Sequence, residues 1–286
     1  MAVLDVGLAP PAVGAAVAAV LHVRGSRRHV RVVAPARRAA HRRRAWAFYA
    51  ALVTIVVALD SPIDTAAERL FWVHMVQHVL LMMVAAPLLV LAAPWTPMWK
   101  GLSPGARRSL AVGWVHSPAG RRLSRAARWL GAPACAWLLF NGDLLAWHVP
   151  ALYDLTLRHQ AIHDAEHVTF LVLAVVFWAQ VLPSPPLRPK LDLARRIAYV
   201  TGAAAVAWLL ALILAFARSP LYAAYAERPR AGGLSALTDQ QLAAGIMWGP
   251  GSIPYAIFVF AAVYAWLAGQ NASGASPKAR PALKLP

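Results

Sequence analysis

Leu70-Phe71-Trp72-Val73-His74-Met75-Val76-Gln77-His78-Val79-Leu80-Leu81-Met82-Met83-Val84-Ala85-Ala86-Pro87-Leu88-Leu89-Val90-Leu91-Ala92-Ala93 is an apolar run interrupted only by two histidines and a glutamine. A helix that crosses the hydrocarbon of a bilayer needs about 20 such residues, so 70–93 reads as a transmembrane helix with polar groups at one end. Six further apolar runs surround it, at 6–23, 45–59, 129–149, 161–183, 197–217 and 241–268. The whole chain agrees with this reading: of 286 residues, 60% are hydrophobic and 14% charged, against about 45–50% apolar and about 25% charged in soluble domains. A soluble enzyme and a disordered protein are both excluded. The predicted fold is all-α, a polytopic bundle of seven transmembrane helices.

Charge placement gives the orientation. Of 28 Lys and Arg, 23 fall in 24–44, 94–128, 184–196 and the tail from 269, while five fall in the alternate segments 60–69, 150–160 and 218–240. Cationic loops stay on the cytoplasmic side, so the N-terminus is placed outside and the C-terminus inside. The net charge of +17 is therefore a topology signal, and no nucleic-acid partner is expected, since the basic runs carry no interleaved aromatics. The first run has no basic stretch before it and no small-residue cleavage site after it, and reads as a retained helix. Residues 1–268 form a single membrane domain with basic cytoplasmic loops at 24–44 and 94–128. Pro183-Ser184-Pro185-Pro186-Leu187-Arg188-Pro189-Lys190 reads as a rigid inner connector. The tail 269–286, rich in Gly, Ala, Ser and Pro, reads as disordered.

Ten histidines sort by side. His22, His29, His41 and His116 fall near the inner face and read as solvated loop residues. His74, His78, His148, His159, His163 and His167 all fall at the outer ends of the third, fourth and fifth helices, and ionisable groups at membrane depth usually mark function. His74 and His78 stand at i and i+4, within about 40° and about 6 Å of each other on a helix. His159, His163 and His167 repeat that spacing, with Asp164 and Glu166 on flanking faces as acceptors able to orient imidazoles. Such pairs offer nitrogen lone pairs to one cation, although membrane helices also use histidines to hydrogen-bond one another. His159, at the exposed end, reads as interfacial.

The last helix adds Thr238-Asp239-Gln240-Gln241 and Met247, with Asp239 either a ligand or an N-cap of its own helix. Gly249, Pro250, Gly251 and Pro254 predict a break in mid-span that opens a cavity. Imidazole suits zinc, copper, iron or nickel, and the thioethers of Met75, Met82 and Met247 tilt the choice towards copper, especially the cuprous ion. Cys135 lies near the inner face, and as the single cysteine it forms no internal disulfide or paired-cysteine zinc site. Asp143, the one acid inside a span, is expected to pair with Asn141 or an outer histidine. No phosphate-binding loop, dinucleotide turn or nucleophile elbow is present.

In their order along the chain, His74-Met75-Val76-Gln77-His78, Trp147-His148-Val149-Pro150-Ala151-Leu152-Tyr153, His163-Asp164-Ala165-Glu166-His167 with Phe177-Trp178, and Thr238-Asp239-Gln240-Gln241 with Met247-Trp248 resemble the multi-span CtaG family of cytochrome c oxidase assembly factors of bacterial plasma membranes. The resemblance covers about residues 45–268. It implies a multi-pass protein that serves assembly of a haem-copper oxidase, at copper delivery to the catalytic subunit, and carries His74, His78, His148, His163, His167 and Asp239 over as candidates. The metallochaperone reading has a cuprous ion arriving from an extracytoplasmic donor, held by His74, His78, His163 and His167, with Met75 or Met82 and His148 as exchange ligands. On that reading the protein is not an enzyme. Three alternatives remain open: a membrane-embedded zinc hydrolase acting on lipid, with Asp164 or Glu166 as general base; a haem- or quinone-binding protein; and a scaffold whose histidines only join helices.

Overall fold

A computed structural model describes residues 10–30, 38–227 and 233–274. Among the described residues all regular structure is helical, apart from a single bridge between Ser184 and Leu187. Seven long helical segments occupy the seven apolar runs. We label them α1 (Pro10–Val30), α2 (Arg38–Leu59), α3 (Phe71–Ala92), α4 (Pro133–Trp147), α5 (Gln160–Trp178), α6 (Leu193–Phe216) and α7, which has two halves, Ala236–Trp248 and Ile253–Gly274. Four are long and apolar enough to cross a membrane: α3, α5, α6 and α7 over Ala236–Ala268. Outward-facing side chains fit lipid better than water, with Phe216 80% and Phe260 75% exposed. Buried side chains of that size stabilise a water-soluble fold by about 1.5–3 kcal/mol each, so exposure on this scale points to an apolar solvent.

Local chemistry sets the helix starts. Proline stands at the first turn of α4, where its missing N–H costs nothing. Ser235 accepts from the Thr238 N–H at 3.0 Å and Asp192 from the Arg195 N–H at 2.9 Å, capping α7 and α6. The connector 179–192 contains no helix, as its prolines require. α7 breaks where Gly249 and Pro250 stand, passing through a short tight turn at Pro250–Ser252.

The segments expected as basic loops are largely helical. α1 runs on to Val30 and α2 begins at Arg38, and 94–128 holds helices Trp95–Gly101, Pro104–His116 and most of Pro118–Leu130. These helices satisfy their own backbone while arginines face outwards, so high charge does not oppose helix formation there. Residues 269–274 continue α7 instead of starting a disordered tail; 275–286 lie outside the described residues. His22 is also not solvated. It is 3% exposed, stacks on Phe48 at 4.3 Å between ring centroids, and its Nδ1 lies 3.1 Å from the Tyr49 hydroxyl. Its place on the apolar face of α1, and not the arginines after it, decides its surroundings. His116 is exposed as expected, and His41 is half-buried.

α3 is the central rod, packed against α2, α5 and the first half of α7. Its first nine residues are α-helical, but Leu80–Ala85 widens into a π-turn. The loosened Met82 carbonyl accepts from the indole N–H of Trp178 on α5 at 3.0 Å, which closes the backbone account at that point.

Candidate metal centre

Two helices supply the centre. The N-terminal turns of α3 present His74 and His78, and the N-terminal turns of α5 present His163, Glu166 and His167. All five are buried. Ligand atoms of His74, His163, Glu166 and His167 lie within 4.8 Å of one another. The His74 and His163 Nε2 atoms are 3.2 Å apart. Tetrahedral coordination with bonds of about 2.0–2.1 Å sets two nitrogens about 3.3 Å apart, so this pair stands at ligand spacing. The His78 ring sits 4.3 Å from that of His74, and its Nε2 is 3.6 Å from the Glu166 carboxylate; the His74 Nε2 is 3.7 Å from the other carboxylate oxygen.

Two tyrosines orient His74. The Tyr225 hydroxyl donates to the Ala67 carbonyl at 2.6 Å, which uses its only hydrogen. It also lies 3.0 Å from the His74 Nδ1. The Tyr153 hydroxyl lies 2.6 Å from the same nitrogen. With its Nδ1 held between the two hydroxyls, His74 turns its Nε2 towards His163 and Glu166, the orientation metal-binding histidines usually adopt. Phe71, Tyr153 and Tyr222 roof the site, with Tyr153 and Tyr222 ring centroids 4.4 Å apart.

Glu166 is 0% exposed, and neither carboxylate oxygen has a hydrogen-bond partner. The Thr156 hydroxyl gives its hydrogen to the Tyr153 carbonyl instead, at 2.7 Å. Buried, unpaired carboxylates are costly at several kcal/mol or more, and a cation or a proton must relieve the charge. The His78 nitrogens and the His167 Nε2 are likewise without partners. This donor set, three or four imidazoles and one carboxylate, fits a bound transition-metal cation.

The remaining candidates divide. His148 is buried beside the centre, its Nδ1 donating to the Leu144 carbonyl at 2.7 Å and its Nε2 without a partner. Met75 and Met82 are buried and line a cavity next to His78. Asp239 lies outside the group of converging ligand atoms. Its two oxygens accept from the backbone N–H groups of Phe71 and Trp72, at 3.1 and 3.0 Å, so it caps α3, the helix that carries His74 and His78, and not its own. Gln240 has the same kind of role, accepting from Leu221 N–H at 2.7 Å and donating to the Leu214 carbonyl at 2.9 Å. Asp143 pairs with neither Asn141 nor a histidine: Trp147 Nε1 donates to it at 2.9 Å. His159 is exposed at the start of α5.

Spacing alone undervalued Glu166. It stands three residues after His163 and one before His167, on the face that also buries Phe170, and i, i+3, i+4, i+7 periodicity could have found it. Tyr153 and Tyr225 come from short helices between the rods and left no such signal. Asp164, by contrast, turns outwards and accepts from Gln160 at 2.8 Å.

A cavity of about 560 Å³ reaches the centre at His163 and His167, with Asp60, Asp64 and Asp164 along its wall. Burial pushes the Asp64 carboxyl above the usual carboxylate range, against the pull of its hydrogen bond from Gln77.

These features define a helical membrane protein with a histidine–carboxylate centre built between two of its rods. The chain belongs to the family described as cytochrome c oxidase caa3 assembly factors, Caa3_CtaG, which it matches over residues 20–269. An uncharacterised protein of Mycobacterium leprae (strain TN) is 25% identical over 222 residues, 75% of this chain and 32% of its own length. Uncharacterised proteins of Mycobacterium bovis and Mycobacterium tuberculosis are each 26% identical over 220 residues, 74% of this chain and 32% of theirs. The chain thus spans about a third of the length of these relatives. No solved structure matches it.

Proposed function

We propose that the protein holds copper at the His74–His163–Glu166–His167 centre, with His78 and His148 beside it, and supports insertion of that copper into the catalytic subunit of a haem-copper oxidase. Copper is cargo on this reading, accepted from an extracytoplasmic donor through the acidic outer cavity and released by ligand exchange. All seven rods cross the bacterial plasma membrane with the N-terminus outside, because 23 of the 28 cationic side chains then lie on the cytoplasmic side. The observation that carries the reading is the Glu166 carboxylate: fully buried, without a hydrogen-bond partner, and ringed by imidazoles. A site built only to join helices would pair its polar atoms.

Retention fits this geometry better than hydrolysis. If Glu166 serves as a ligand, the acid left for a general base is Asp164, which is turned away and bonded to Gln160. The test is the metal content of the purified protein. Wild type should retain copper, and the double variant His78→Ala, His163→Ala should lose it. Undiminished copper in that variant would defeat the proposal, and zinc with lipid hydrolase activity would replace it.

A further inference from the structure

The chain has six methionines, and four of them meet in one place. Met75, Met82, Met83 and Met247 line a small cavity on the far side of His78, together with His148. Its free volume is about 40 Å³, enough for one ion and a water or two, since a water needs about 10–15 Å³. Two devices of the fold bring these side chains there. The π-turn of α3 at Leu80–Ala85 holds Met82 and Met83, neighbours in sequence, both buried and both on the cavity wall. The break in α7 at Gly249 and Pro250 comes two residues after Met247.

Two imidazoles stand on its otherwise apolar wall. His148 is 6% exposed and fixed by its Nδ1 bond to the Leu144 carbonyl, and its Nε2 has no partner. His78, also on the wall, has no partner at either nitrogen. Buried imidazole nitrogens without partners are costly to keep, and methionine is softer and more polarizable than the leucine that would fill the same space.

We infer that this methionine-lined cavity is a second cation site, specific for a soft monovalent ion of the copper(I) type, which it receives from the histidine–carboxylate centre through His78. The inference rests on the metal-holding reading of that centre. The two stations differ in hardness: imidazoles and a carboxylate on one side, thioethers and one or two imidazoles on the other. Thioethers select copper(I) over zinc and over divalent ions generally, so the second station acts as a filter. His78 faces both, its Nε2 being 3.6 Å from Glu166 while its ring forms part of the cavity wall. Passage is ligand exchange alone: copper–nitrogen and copper–oxygen bonds break, copper–sulfur bonds form, and the ion keeps its charge.

The test loads full-length protein in detergent with copper(I) against a competing chelator, counts bound copper, and reads its neighbours by X-ray absorption. Wild type should bind two ions with sulfur among the neighbours. The variant Met82→Leu, Met247→Leu should bind one ion and lose the sulfur signal, while zinc binding is unchanged. Leucine conserves volume in a packed core, and Met75→Leu, Met83→Leu repeats the measurement if the first pair does not fold. The variant His163→Ala, His167→Ala should keep the sulfur signal. Wild-type copper with only nitrogen and oxygen neighbours, or methionine variants that keep both ions, would overturn the inference and leave the histidine centre standing. A wild type that binds no copper would remove both.

Discussion

Glu166 and Asp239 are both carboxylates at 0% exposure, yet they do opposite work. Asp239 spends both oxygens on the first two N–H groups of α3, where a helix leaves donors unsatisfied and its dipole favours negative charge. Glu166 faces the imidazoles of His74 and His78, at 3.7 and 3.6 Å. Replacing Glu166 by Gln therefore removes a buried charge and a ligand together. The metal-free protein should melt higher than wild type, while copper affinity falls by at least about tenfold, the lower end of what altering even a metal site's supporting residues costs. Thermal melts with and without copper read both effects, because a ligand that binds only the folded state raises its stability in proportion to affinity. Asp239→Asn should behave differently. It weakens a cap worth about 0.5–2 kcal/mol and lowers the melting temperature, but the copper neighbours seen by X-ray absorption stay the same. A changed neighbour set would make Asp239 a ligand after all.

The elements show what one-dimensional spacing can and cannot carry. Histidines at i and i+4 were legible because helix geometry fixes their relation whatever the tertiary fold, and the break at Gly249-Pro250 was legible because proline imposes it locally. That Asp239 caps a helix which begins 168 residues before it in the chain, or that Tyr225 helps to orient His74, depends on which rods are neighbours, and no period encodes that. The basic segments misled for a related reason: charge decides the side of a membrane but not whether the backbone coils. α1 offers a sharp case. Gly25 lies so close to the helix Trp95–Gly101 that an added Cβ would fall 1.7 Å from the Pro97 carbonyl oxygen, and Gly101 approaches the Leu21 carbonyl to 2.2 Å on the same measure. Arg28 seals the contact by donating to the Lys100 carbonyl at 2.9 Å. Gly25→Ala should cost about 1–3 kcal/mol, the usual penalty of overpacking, visible as a lower melting temperature. The histidine centre lies elsewhere in the fold, so copper stoichiometry in the folded fraction should not change.

At the scale of the molecule, the centre stands between two cavities, one walled by three aspartates and the other by methionines. The cavity wall carries Asp60, Asp64 and Asp164, and their duties are unequal. Asp64 is tied to Gln77 at 2.9 Å and Asp60 accepts from the Ala12 N–H at 2.9 Å, whereas Asp164 accepts from the exposed side chain of Gln160 at 2.8 Å. Negative charge at the mouth of a cleft raises the local concentration of cations and speeds capture, with little effect on the depth of binding once an ion is seated. Asp164→Asn should therefore slow copper loading several-fold at low ionic strength while leaving the equilibrium affinity close to wild type. The difference should fade as salt approaches about 1 M, where screening acts over about 3 Å. Stopped-flow loading at two salt concentrations checks this. Equal slowing at both would mean that Asp164 acts by shaping the mouth and not by attracting the ion. A loss of affinity without slowing would place its carboxylate on the metal.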